Sequence, residues 1–156
     1  MLKRTVHWRW QYRLRQRPHV LIAASEEVAQ ALRLPLQARW LLSVALDMPQ
    51  TLVLASALRP SRILVDGSLP AAALLIERLK RQRETFPLPI LFLGRADSQC
   101  EDATQRGAHR ALVAGYPFHA GEITAIQLLL LDARPDAGAE PVSAANCSVD
   151  VLEQFD

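Results

Sequence analysis

From position 19 to position 132, short apolar runs rich in branched residues alternate with stretches of helical period. The runs are His19 to Ala24 (HVLIAA), Trp40 to Leu46 (WLLSVAL), Arg62 to Val65 (RILV), Pro89 to Leu93 (PILFL) and Ala111 to Ala114 (ALVA). Each has the length of a strand and is almost continuously apolar, as strands are when helices cover both faces of a parallel sheet. Strand then helix, five times over, predicts a (βα)5 domain with a doubly wound five-stranded parallel sheet.

The intervening segments carry helix signals. Ser25 stands where a helix opening Glu26-Glu27 needs an N-cap, and acids there favour the positive end of the helix dipole. Asp47 and Pro49 open a second helix that runs through Leu58 and is closed by Pro60. In the third, Leu74, Leu75, Ile76 and Leu79 form an apolar stripe, with Glu77, Arg78, Lys80, Arg81 and Arg83 facing water before Pro87. The fourth, Asp97 to Arg106, is short of apolar anchors and is expected to be the least stable. The fifth, Gly121 to Asp132, is apolar on more than one face. A helix at a sheet edge has a wet side, so the excess predicts a second covering surface, and Ile123, Ile126, Leu129 and Leu130 are the candidates for a dimer helix.

The two ends read differently. Val6, Trp8, Trp10, Tyr12 and Leu14 alternate with His7, Arg9, Gln11, Arg13 and Arg15, a period of two that predicts an extra, amphipathic amino-terminal strand. Residues 134 to 148 form a linker rich in Pro, Ala, Ser and Gly, followed by a small apolar cluster of Val149, Val151, Leu152 and Phe155. The expected division is therefore a basic aromatic strand (1–18), one domain (19–133) and an acidic linker and tail (134–156), a layout that fits the amino-terminal part of a larger regulator.

Composition sharpens this layout. The chain has 156 residues and is half apolar, enough for one core and too little for two ordinary domains. A net charge of +2 hides opposite ends: residues 1–18 hold Lys3, Arg4, Arg9, Arg13, Arg15 and Arg17 with no acid, and residues 135–156 hold Asp136, Glu140, Asp150, Glu153 and Asp156 with no base. Such ends attract one another, or each recruits a partner of opposite sign, over the screening length of about 10 Å. No stretch approaches the roughly 20 apolar residues of a membrane span, and charged and aromatic residues stand where a signal peptide has its apolar region, so a cytoplasmic location without membrane insertion is expected. Cys100 and Cys147 lack a CxxC or CxxH spacing, and His7, His19, His109 and His119 lack the spacing of metal ligands. With no Gly-rich phosphate loop and no GxSxG elbow, neither a cofactor, nor a metal, nor an enzyme is expected.

The five-unit pattern, with an Asp closing the third strand and a Pro four residues later in ILVDGSLP, resembles the receiver domain of bacterial response regulators, with a CheY-like, flavodoxin-like fold. The resemblance covers about residues 19 to 132 and places Asp66 at the family's phosphoacceptor position. It also marks what is missing. The acidic pair that holds Mg²⁺ at the end of the first strand is replaced by Ala24 and Ser25, with Glu26 one position late. The family's Ser or Thr after the fourth strand is Gly94, and its lysine is Tyr116 before Pro117, or Ala114 if the alignment shifts by two. Without these groups little offsets the charge on a transferring phosphoryl group.

Each feature has a plainer reading beside the functional one. Asp66 is either a phosphoacceptor or a carboxylate satisfied at a strand end by neighbouring amides. The missing pocket favours the second. Receiver-like domains that have lost it serve as docking or dimerisation modules, so the resemblance implies a non-catalytic regulatory module with a protein partner or a second copy of itself. The amino-terminal strand lies against the core or pairs across a two-fold axis, extending the sheet and removing an exposed edge, or it offers Trp8, Arg9, Trp10, Tyr12, Arg13, Arg15 and Arg17 to another protein. Alternatively, Arg9, Arg13, Arg15 and Arg17 take an anionic ligand, and the RxxxR spacing of Arg13 and Arg17 resembles the cyclic-di-GMP motif of PilZ domains. Nucleic acid is not expected to be a partner of this domain alone.

Overall fold

The computed structural model describes residues 17–132, so the amino-terminal strand and the acidic tail read from the sequence lie outside the described residues. The elements are β1 (His19–Ala23), α1 (Glu26–Gln37), β2 (Leu41–Ala45), α2 (Met48–Leu58), β3 (Arg62–Asp66), α3 (Ala72–Arg81), β4 (Ile90–Gly94), α4 (Asp97–Arg106), β5 (Arg110–Val113) and α5 (Ala120–Asp132). All strand pairs are parallel and the order is β2-β1-β3-β4-β5. This is the doubly wound architecture that the alternation of runs predicts.

Alternate residues of each strand point to opposite faces, and each face has its own core. On one, Val20, Ile22, Leu64, Leu91 and Leu93 pack under α1 and α5; on the other, Leu21, Ile63, Val65, Ile90 and Phe92 pack under α2, α3 and α4. β3 and β4 are buried along their whole length, as strands with neighbours on both sides and helices on both faces must be. Each fully buried Leu or Ile contributes about 1.5–3 kcal/mol relative to exposure.

The helix starts follow local chemistry. The Asp47 carboxylate accepts the Gln50 amide at 2.8 Å and caps α2. Ser25 occupies the N-cap position of α1 in extended backbone, but its side chain makes no capping bond. The buried stripe of α3 is Ala72, Leu75, Ile76 and Leu79, spaced as one helix face requires, and Leu74 falls outside it and is exposed. α4 buries only Ala103, in keeping with its polar sequence.

α5 differs from the sequence expectation in which side it offers. Ile126 and Leu130 are fully buried, and Ile123 and Leu129 are half-buried against the same core, so the four residues named for a dimer helix form the helix's inward face. The sheet claims the face on which these four positions align. The apolar residues left outside are Leu128 and Leu131, 61% and 42% exposed.

Lys80 also departs from its expected place in water. Its ammonium donates to the carbonyls of Phe86 (2.9 Å) and Leu88 (3.0 Å) and lies 5.6 Å from the Phe86 ring centroid. Buried Thr85 donates to the Leu79 carbonyl at 2.6 Å. Together they tie the connection between α3 and β4 to the end of the helix, where orphan carbonyls need donors. Burial lowers the Lys80 pKa to about 8. The unfolded chain then holds more protons than the folded one between about pH 8 and the ordinary lysine value of 10.5. Stability is therefore expected to rise with pH across that window. In urea titrations at several pH values, Lys80→Met is expected to abolish this rise relative to the parent chain.

Candidate functional site

In a parallel sheet all strands end on the same side, and ligand crevices of doubly wound folds open there. The structure brings five of the sequence-predicted positions to that side: Ala24 and Ser25 after β1, Asp66 ending β3, Gly94 ending β4 and Tyr116 after β5. Arg17 is exposed at the opposite end, before β1. Trp8, Arg9, Trp10, Tyr12, Arg13 and Arg15 lie outside the described residues.

Asp66 is wholly buried. Its Oδ2 accepts the Ser68 amide at 3.0 Å and also the Ser68 hydroxyl, so the residue two places on folds back over the carboxylate in an Asx-type turn. Its Oδ1 is buried and has no hydrogen-bond partner among the described residues. The turn is held from the other side as well, since the Gly67 amide donates to the Leu93 carbonyl at 2.7 Å and the Leu69 amide to the Asp66 carbonyl at 3.1 Å. A Cβ on Gly67 would stand 3.0 Å from that Leu93 carbonyl oxygen, so the close approach of β3 to β4 depends on a glycine.

The surrounding positions are apolar or turned away. Ala24 is buried and donates its amide to the Ala45 carbonyl at 3.1 Å. Glu26 is exposed and lines a groove between α1 and β2. A Cβ at Gly94 would lie 2.8 Å from Cys100 Sγ and 2.9 Å from the Phe92 ring, so any larger residue there must displace these neighbours. Ala114 is buried, with its amide on the Gly94 carbonyl at 2.9 Å. Tyr116 is exposed and meets Phe118 edge to face at 6.4 Å.

Sequence reading missed Ser68 and Arg95. The Asp-x-Ser spacing of an Asx turn is the signal that points to Ser68. Arg95 carries no such signal: its side chain crosses from the end of β4 to lie over Gly115, where a Cβ would be 2.9 Å from its Cδ. Neither oxygen of Asp66 bonds to it.

This geometry can be set beside known proteins. No family model and no curated protein matches the sequence. Solved structures do match. A response regulator from Chloroflexus aurantiacus superposes with a TM-score of 0.65 at 24% identity, over 75% of this chain and 99% of that one. The fold is that of a response-regulator receiver domain. The chemotaxis response regulator CheY4 of Vibrio cholerae gives 0.60 at 21% identity, over 71% of this chain and 95% of its own. The receiver domain of the sensor histidine kinase PA1611 from Pseudomonas aeruginosa gives 0.63 at 20%, over 74% and 96%, and its structure holds a magnesium ion in the active site cleft.

The described residues around Asp66 do not fit such an ion. A hard divalent cation needs accessible oxygen ligands. Among the described residues no three of His, Cys, Asp and Glu gather as a metal set. Of the Asp66 oxygens one is occupied by Ser68 and the other is buried. Calorimetric titration of the full chain with MgCl₂ is expected to show no saturable heat in the millimolar range.

Proposed function

We propose that this chain is a signalling module of receiver fold that acts through protein contact, by docking or by pairing with a second copy, and not through phosphorylation of Asp66. The observation that carries the reading is the burial of the Asp66 carboxylate with one oxygen tied to Ser68 and the other without a hydrogen-bond partner among the described residues. Phosphoryl transfer requires an attacking oxygen in line with the phosphorus, and cations to offset the charge on the equatorial oxygens. Here the attacking atom is covered, and Ala24, Ser25, Gly94 and Tyr116 supply neither a carboxylate for the metal nor a lysine for the phosphoryl group. The stabilisation that a receiver gathers around its aspartate is absent.

A module without that covalent switch passes on a signal by being bound or unbound. α5 offers a surface for this, because Leu128 and Leu131 project outward from a helix whose inner face is already filled by the core. Apolar side chains at such positions gain by burial against a partner helix or a second copy.

Two measurements test the reading. Incubated with a small phosphodonor and Mg²⁺, the full chain is expected to keep its unmodified mass. A gain of one phosphate that Asp66→Asn abolishes would overturn the proposal. For the surface, the double variant Leu128→Asp, Leu131→Asp is expected to sediment as a monomer where the parent chain sediments as a dimer, and to keep the parent's circular dichroism spectrum, because neither residue belongs to the core.

A further inference from the structure

β2 is an edge strand, and among the described residues it has a neighbour on one side only. The direction of its backbone groups follows from the pairing with β1. The Leu41 amide donates to the Pro18 carbonyl at 3.0 Å, and the Ala45 carbonyl accepts the Ala24 amide at 3.1 Å, so Leu41, Ser43 and Ala45 face β1. Leu42 and Val44 therefore turn their N–H and C=O groups outward. The Leu46 amide, next in that outward row, is taken by the Gln50 side chain at 2.8 Å, which closes the edge at its upper end.

The edge borders an open groove of about 250 Å³, walled by Glu26, Ala29, Gln30 and Arg33 on α1, by Val44 on β2 and by Leu46 just beyond it. Leu42 and Val44 point their side chains to this same face, where they are only half-buried, and Leu46 is exposed. An added strand would satisfy the outward backbone groups and drop alternate side chains into the groove.

We infer that the occupant is residues 5–14 of this chain, lying antiparallel to β2. Three observations support the assignment. The first is pattern: Val6, Trp8, Trp10, Tyr12 and Leu14 alternate with His7, Arg9, Gln11, Arg13 and Arg15, so a strand placed with its apolar set opposite Leu42 and Val44 fills the groove with aromatic side chains and turns its arginines to the other face. A slip of one residue would bury the arginines, which fixes the parity of the pairing. The second is reach. Pro18 already lies at the foot of β2, and from the outer side of β2 back to β1 is two strand spacings, about 10 Å. Residues 15–18 span up to roughly 14 Å. The far edge, beyond β5, is four spacings from β1, about 19 Å, and out of reach of the same link. The third is direction: a segment joined at the foot of β1 by so short a link runs down the edge of β2 and so pairs antiparallel, whereas a parallel arrangement needs a crossover of a dozen or more residues.

The test is amide hydrogen exchange by NMR on the full chain. The Leu42 and Val44 amides are expected to exchange on the order of a hundredfold more slowly than in the double variant Trp8→Asp, Trp10→Asp, while Leu64 and Leu91 in the central strands stay protected in both. Contacts from the Trp8 or Trp10 indole protons to the Val44 methyls are expected within one chain. Fast exchange at Leu42 and Val44 in the parent chain, or equal rates in parent and variant, would overturn the inference. So would indole contacts seen only between differently labelled chains, since they place a second copy's segment on the edge. If the variant loses protection at Leu64 and Leu91 as well, the indole contacts in the parent chain decide alone, and their absence sinks the assignment.

Discussion

Asp66 ends a strand buried over its whole length, so its carboxylate enters a region where water does not solvate it and protein atoms must. The turn after β3 answers that demand. Ser68 supplies an amide and a hydroxyl to one oxygen, and the chain can fold back so tightly because Gly67 lets β3 approach the Leu93 carbonyl. The second oxygen is buried and has no hydrogen-bond partner among the described residues. The turn that closes over one carboxylate oxygen also ties the end of β3 to β4, through the Gly67 amide on the Leu93 carbonyl.

Cations at the opposite end of the sheet are handled in a different way. Arg62 opens β3 and is 8% exposed, with its guanidinium 4.9 Å from the Trp40 ring centroid and its buried Nε without a hydrogen-bond partner. Lys80 sits between two loop carbonyls. Neither has a carboxylate within ion-pair distance among the described residues; both lean on an aromatic face, and burial lowers the pKa of each. These are the ends where α1 and α3 finish, so carbonyl groups and negative helix dipoles stand in for counter-ions. Ion pairs in this domain are confined to its surface, as with Arg81 and Arg106 on Glu77, where each adds little.

How far the sequence reveals this arrangement depends on whether a feature is local. Strands buried on both faces announce themselves as unbroken apolar runs, and the cap at Asp47 needs only the residues beside it, so both are legible. The helix α5 is not, because seven apolar residues among its last ten leave the inward direction undetermined until the sheet picks Ile126 and Leu130. Lys80 reads as a surface residue by its place on α3. Only the path of residues 82–89, pinned by Thr85, brings the Phe86 and Leu88 carbonyls to it. At the candidate site the sequence indicates which groups are missing. It does not indicate that Ser68 closes over what remains, since that depends on the turn between Asp66 and Leu69.

A doubly wound sheet covers its faces with helices but leaves its two outer strands with unpaired backbone groups, and natural proteins blunt such edges with charge, shortness or an added cover. β5 has four residues and is flanked by the Arg110 to Asp132 ion pair. β2 has apolar Leu41, Leu42 and Val44 along its length and Leu46 just beyond it, and among the described residues only Gln50 guards its upper end. An edge so apolar calls for a cover, and the amphipathic segment that precedes β1 has the period and the reach to provide one. With that edge covered as proposed, Leu128 and Leu131 of α5 remain an exposed apolar pair, the surface that the proposed docking function uses.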